Sequence, residues 1–155
     1  ETLGSEKLGS ANATITVDDL AEKRFLLVLV FTHNTATTYC DMTMNNDGGA
    51  NYATRRNLNH QSDTTQTGQT VMKIGENSVA DAQTWISVYV DNDPNGQKTI
   101  TAYCCDQSNS GGSQDPSVAE TFGKWDDTAV VTRIDILAHT STFKADSEVI
   151  VLGAD

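Results

Sequence analysis

The sequence predicts an all-β fold: one antiparallel β-sandwich of the jelly-roll kind, with about eight to ten strands in a single domain. Three observations predict it. Short apolar runs alternate with period two and are separated by clusters of Gly, Asn, Asp and Ser. The runs recur at spacings of roughly 8–12 residues, the rhythm of a sandwich or barrel. No segment sustains a helical period, and the best candidate, residues 17–24, is one or two turns at most. Threonine is abundant and proline occurs only twice, which suits strands.

Residues 1–12 are expected to form an extended N-terminal arm. Thr14–Val17 opens the first clear strand. Residues 23–33 hold the longest apolar run, Phe25 to Phe31, and read as a central buried strand. Residues 38–44 alternate, placing Cys40, Met42 and Met44 on one face. The cluster at 45–49 (Asn-Asn-Asp-Gly-Gly) is a turn, with Gly48 or Gly49 expected at positive φ. Residues 53–59 and 70–74 are short strands. Residues 84–90 put Ile86, Val88 and Val90 on one side, with Trp85, Ser87 and Tyr89 on the other. A turn at 91–96 returns the chain into a strand over 98–104, so the two form a hairpin. Residues 108–113 read as a flexible surface loop. Residues 120–125 lead into a strand over 130–137, and 148–152 close the domain.

The 155 residues carry Lys+Arg 10 against Asp+Glu 21, a formal charge of −11. Such a surface repels nucleic acid and anionic membranes, so neither is an expected partner. The chain reads as soluble, because no apolar run approaches the roughly 18 residues of a membrane span. No signal-peptide pattern opens at Glu1. Cys40, Cys104 and Cys105 are an odd number with two adjacent, which is no disulfide framework. They read as small buried thiols, with a bridge from Cys40 to Cys104 or Cys105 as the alternative.

Several constellations are candidates for chemistry. Asp91, Asp93, Asn95 and Gly96 match the opening half of an EF-hand loop. The twelfth position is Ala102 instead of a bidentate Glu, so the simpler reading is a hairpin turn, and the sharper one is a weak calcium site. The oxygen-rich turn 45–51 has the same two readings, as a plain turn or as an ion or glycan contact. Arg55 and Arg56 point to opposite faces of a strand, one toward an internal carboxylate and one toward solvent or a partner. Trp85, Trp125, Tyr39, Tyr52, Tyr89 and Tyr103 either pack inside or form a platform for sugar rings. His33 and His139 both end apolar strands and are candidate neighbours, but the histidines lack a zinc spacing. No nucleophile, base or phosphate loop emerges, so the chain is expected not to be an enzyme.

Three segments carry a resemblance. They are Met44-Asn-Asn-Asp-Gly-Gly-Ala-Asn-Tyr-Ala-Thr-Arg55, Phe122-Gly-Lys-Trp-Asp-Asp-Thr128 and Phe143-Lys-Ala-Asp-Ser-Glu-Val-Ile-Val-Leu-Gly153. Their order from about residue 14 to 153 resembles small β-sandwich virion proteins of tailed phages and related viruses. The resemblance implies a non-enzymatic structural protein on the virion surface, either a capsid decoration (cement) subunit or a fibre module. The expected partners are further copies of itself, as a homo-oligomer with a trimer favoured, and the major capsid protein or other virion proteins. Tyr52, Arg55, Arg56 and Trp125 are the candidate contacts. The resemblance carries over no ligand, and possible calcium at Asp91, Asp93 and Asn95 follows from the loop spacing alone. The alternatives are a carbohydrate-binding module that takes host glycans, and a subunit of a fibre or extracellular filament.

Overall fold

The computed structural model describes residues 1–77, 79–107 and 115–155. The expected loop at 108–113 lies outside them. Every regular element among the described residues is a strand: β1 (Thr2–Lys7), β2 (Thr14–Val17), β3 (Phe25–His33), β4 (Thr38–Met44), β5 (Tyr52–Leu58), β6 (Thr64–Gln69), β7 (Met72–Asn77), β8 (Gln83–Asp91), β9 (Lys98–Asp106), β10 (Ser117–Trp125), β11 (Ile134–Ala138) and β12 (Glu148–Ala154). All pairings are antiparallel. An eight-stranded sheet, ordered β1-β12-β3-β8-β9-β10-β5-β6, packs on a four-stranded sheet, ordered β2-β11-β4-β7.

The topology is a jelly roll with two additions. Without β5–β6 and β9–β10, two sheets of four remain, β1-β12-β3-β8 and β2-β11-β4-β7. Each then alternates early and late strands, as two nested Greek keys require. The two added pairs lengthen only the large sheet, so that sheet has a broader outer face than its partner can match.

The core follows from strand alternation. Leu26, Val28, Val30, Ile86, Val88, Val90, Val149 and Val151 point inward from the large sheet. Ile15, Met42, Met44, Met72, Ile74, Ile134 and Ile136 meet them from the small one. Cys40 and Cys104 are free thiols in this core and Cys105 is exposed and free, so no disulfide forms. Gly75 keeps the sheets close, since a Cβ there would stand 2.5 Å from Ile86 Cδ1.

Three expectations are corrected. Residues 2–7 are not an arm but an edge strand: β1 pairs with β12, satisfying backbone groups that would otherwise be orphaned. Residues 130–133 do not join a strand. Their N–H groups go to side chains instead, Val131 N–H to Asn92 Oδ1 at 2.9 Å and Thr132 N–H to Asn45 Oδ1 at 2.9 Å. At the turn after β4 the positive φ angles fall on Asn45 (53°) and Asn46 (55°) instead of Gly48 or Gly49. Asn tolerates the left-handed region, and the Asn45 amide also donates to Val130 O at 2.8 Å, which holds it there.

Candidate interaction face

The outer face of the large sheet is built by the same alternation that builds the core. On β3 every position from 25 to 31 is apolar, so Phe25, Leu27, Leu29 and Phe31 face away from the core while Leu26, Val28 and Val30 face into it. Register then sets the neighbours. Phe31 lies beside Trp85, Leu27 beside Tyr89, Ser87 beside Tyr103, and Thr101 beside Phe122. On the other flank Leu27 lies beside Leu152 and Leu29 beside Ile150. The aliphatic members are half-buried by one another. The rings stand clear: Phe25, Trp85, Tyr89, Tyr103 and Phe122 are each 44–52% exposed. A continuous apolar run predicts a strand covered on both sides, yet no described residue covers this one from outside. Exposed contiguous apolar patches of this kind mark interaction sites.

A shallow depression of about 430 Å³ opens toward one end of the face. Trp85, Tyr103, Val118, Ser87 and Cys105 line it, and Glu120 and His60 supply polar groups. Ser87 makes the space, because a small side chain sits between two large rings.

The sequence-derived contact residues separate into two groups. Arg55 lies on this face, opposite Phe122, with its guanidinium 3.9 Å from Asp63 and largely in solvent. Arg56 points the other way and pairs with Glu76 at 2.6 Å, both half-buried or more, with its guanidinium 5.7 Å from the Tyr39 ring. Tyr52 and Trp125 are not contacts, since they are 0% and 1% exposed. They pair across β5 and β10 and stack with centroids 6.4 Å apart. The reason is the turn after β4, which folds over them. Tyr52 Oη accepts from Met44 N–H at 3.0 Å, and Trp125 Nε1 donates to Asp47 at 2.6 Å. Burial pushes the Tyr52 hydroxyl up to about 12.

The half EF-hand is held by the protein's own cations. Arg24 lies 2.7 Å from Asp91 and 3.4 Å from Asp93. The fully buried Lys98 ammonium donates to the carbonyls of Asp93 (2.6 Å), Gly96 (2.9 Å) and Thr128 (3.1 Å). Asp93 Oδ1 accepts from Asn95 N–H at 2.9 Å, an ordinary turn bond. A lysine thus supplies the positive charge that a calcium ion would bring. No group of three metal-ligating side chains occurs among the described residues. Asp47 is likewise spent, accepting from Trp125, from Asn51 at 2.9 Å and from Gly49 N–H at 2.8 Å.

His33 and His139 take different partners, the Asp81 carbonyl at 2.9 Å and the Asp41 carboxylate at 2.7 Å. The proposed aromatic platform divides as well. Trp85, Tyr89 and Tyr103 lie outside on the large sheet, Tyr52 and Trp125 inside, and Tyr39 packs edge-on against His139. Sequence reasoning missed Phe25, Phe31, Phe122, Ile150 and Leu152. The signal for them was the apolar run itself, with too many large residues for one face of one strand. No family model, no curated protein and no solved structure matches this chain.

Proposed function

We propose that this chain is a non-enzymatic structural subunit of a virion surface, of the capsid-decoration kind, which docks by the outer face of its large sheet. One observation carries the reading: five large apolar side chains stand exposed on a single sheet face beside a half-buried aliphatic stripe. A binding surface made of rigid strands and rings loses little entropy when it is covered. The jelly-roll topology supports the context by fold analogy alone, since that architecture serves both capsid proteins and lectins. The three sequence segments that resemble virion proteins support it independently. An antibody raised against the purified chain should label the surface of virus particles from the source of the sequence in immunogold microscopy. Particles without label would sink the reading.

The depression favours a second reading, a carbohydrate-binding module. Trp85 and Tyr103 offer ring faces to a pyranose, with Glu120 and His60 placed to meet hydroxyls. A glycan array probed with the chain should then give signals that Trp85→Ala abolishes. Silence on the array, with or without calcium, would count against it.

A further inference from the structure

We infer that the outer face of the large sheet is closed by a second copy of this chain, in a two-fold, face-to-face pair. This deepens the assembly reading above and rests on it for treating the face as an interface.

Charge comes first. The side chains that point outward from the strands of the large sheet include three acids, Asp91, Glu120 and Glu148, and three bases, Lys7, Arg55 and Lys124. With their ion-pair partners Asp63, Asp146 and Arg24 counted, five acids stand against four bases, so the face carries a formal −1 while the chain carries −11. Nearly all of the acidic excess lies elsewhere. Two copies of so acidic a chain meet with least repulsion across this surface. A basic partner would instead be drawn to the other sides.

Area comes second. Eight strands about 4.8 Å apart, with about seven residues each at 3.4 Å, span a face of roughly 900 Å². A standard stable interface takes about 800 Å² from each partner. One copy of the same sheet supplies a surface of matching extent, at the roughly 30° crossing of aligned sheets.

Symmetry comes third. A broad flat face that covers itself is isologous, which means two-fold, whereas a trimer needs two different patches. The strand order also selects the axis. If it runs across the strands, β3 lies on β3 and β12 on β12, so the stripe of Leu27, Leu29, Ile150 and Leu152 covers its own image. Glu120 then falls next to Arg55 of the second copy. An axis along the strands would instead press Leu29 onto Glu120, leaving a carboxylate buried against an aliphatic chain. The pair replaces the trimer expected from the sequence.

The chain carries its own probe. Cys105 is exposed on this face, while Cys40 and Cys104 are buried. Light scattering behind gel filtration is run over a dilution series, alongside the rate at which a small aromatic disulfide reagent modifies Cys105. The same series is run on Tyr89→Glu and Phe122→Glu, whose parent rings are half exposed, so the fold should survive; circular dichroism checks this. The expected result is twice the 16.7 kDa chain mass. It should be accompanied by a Cys105 rate that rises on dilution and by association at least tenfold weaker in both variants. A single-chain mass with a constant Cys105 rate would overturn the pairing and leave particle labelling to decide the assembly reading. A mass of three or more chains that the variants reduce would overturn the two-fold arrangement but keep the face. A two-chain mass that ignores both variants would place the contact elsewhere and overturn the inference.

Discussion

The indole Nε1 of Trp125 donates to Asp47 Oδ2 at 2.6 Å, tying the end of β10 to the turn between β4 and β5. That bond fixes the lid over the Tyr52–Trp125 stack and so closes one end of the sandwich. Asp47 accepts three hydrogen bonds in all, and its loss leaves the donors of Gly49, Asn51 and Trp125 without that acceptor. Asp47→Ala is expected to cost about 1–3 kcal/mol, read from urea unfolding at pH 7.

The same carboxylate makes the lid acid-sensitive. Hydrogen bonds from Asn51, then Trp125, then Gly49 N–H hold Asp47 below its ordinary value of 3.8. A depressed folded value means a contribution that is present at neutral pH and lost as pH falls below about 3.8 through the folded value. Between pH 5 and pH 2 the melting temperature of Asp47→Asn should therefore fall less steeply than that of the parent. Parallel slopes would show that the turn does not couple to protonation.

Lys98 presents the opposite case, a charge inside the fold with no carboxylate in hydrogen-bond contact. Its ammonium closes the β8–β9 turn through the carbonyls of Asp93 and Gly96 and ties it to Thr128 O after β10. Lys98→Met fills the same volume but leaves those acceptors dry, and is expected to destabilise by about 2–3 kcal/mol. Because Arg24 and Lys98 already neutralise the loop, calcium or chelator should move the parent melting temperature by less than about 1 °C. A calcium-dependent rise of several degrees would show that the half EF-hand binds metal despite them.

Asp41 is buried on β4, and only one of its oxygens has a partner, His139 Nδ1. Burial raises its pKa above the ordinary 3.8, and the His139 bond only partly offsets that. The folded chain therefore holds this proton more tightly than the unfolded one. The contribution is favourable at low pH and lost as pH rises from about 3.8 through the folded value. Asp41→Asn keeps an acceptor for His139 and removes the buried charge. It should be as stable as the parent at pH 7, or more so by roughly 1 kcal/mol, with a flatter profile from pH 4 upward. A large loss of stability at pH 7 would show that the His139 pair outweighs the burial.

What the sequence revealed and what it hid have physical causes. Period-two alternation located the β8–β9 hairpin, the inward Met42 and Met44, and the split between Arg55 and Arg56, because each depends only on local pleat. It could not show that Tyr52 and Trp125 are interior, since that follows from a turn closing over them across 73 residues of chain. It took residues 1–12 for an arm because Thr2–Lys7 is too polar to signal a strand, and only pairing with β12 makes it one. The face itself was written plainly in Phe25 to Phe31, but sequence cannot say whether the second side of an apolar strand is covered.

The three thiols give the most direct check on how the sheets are stacked. Cys40 and Cys104 face each other's sheets in the core, and burial raises both, Cys104 to about 12. Cys105 follows Cys104 on β9 and therefore points out. At pH 8 a thiol reagent should modify one cysteine in the native chain and three after unfolding in guanidinium. Two or three reactive thiols in the native chain would mean that the small sheet does not cover β9. None in the dilute native chain would point to a disulfide between copies, which a reducing agent should then release.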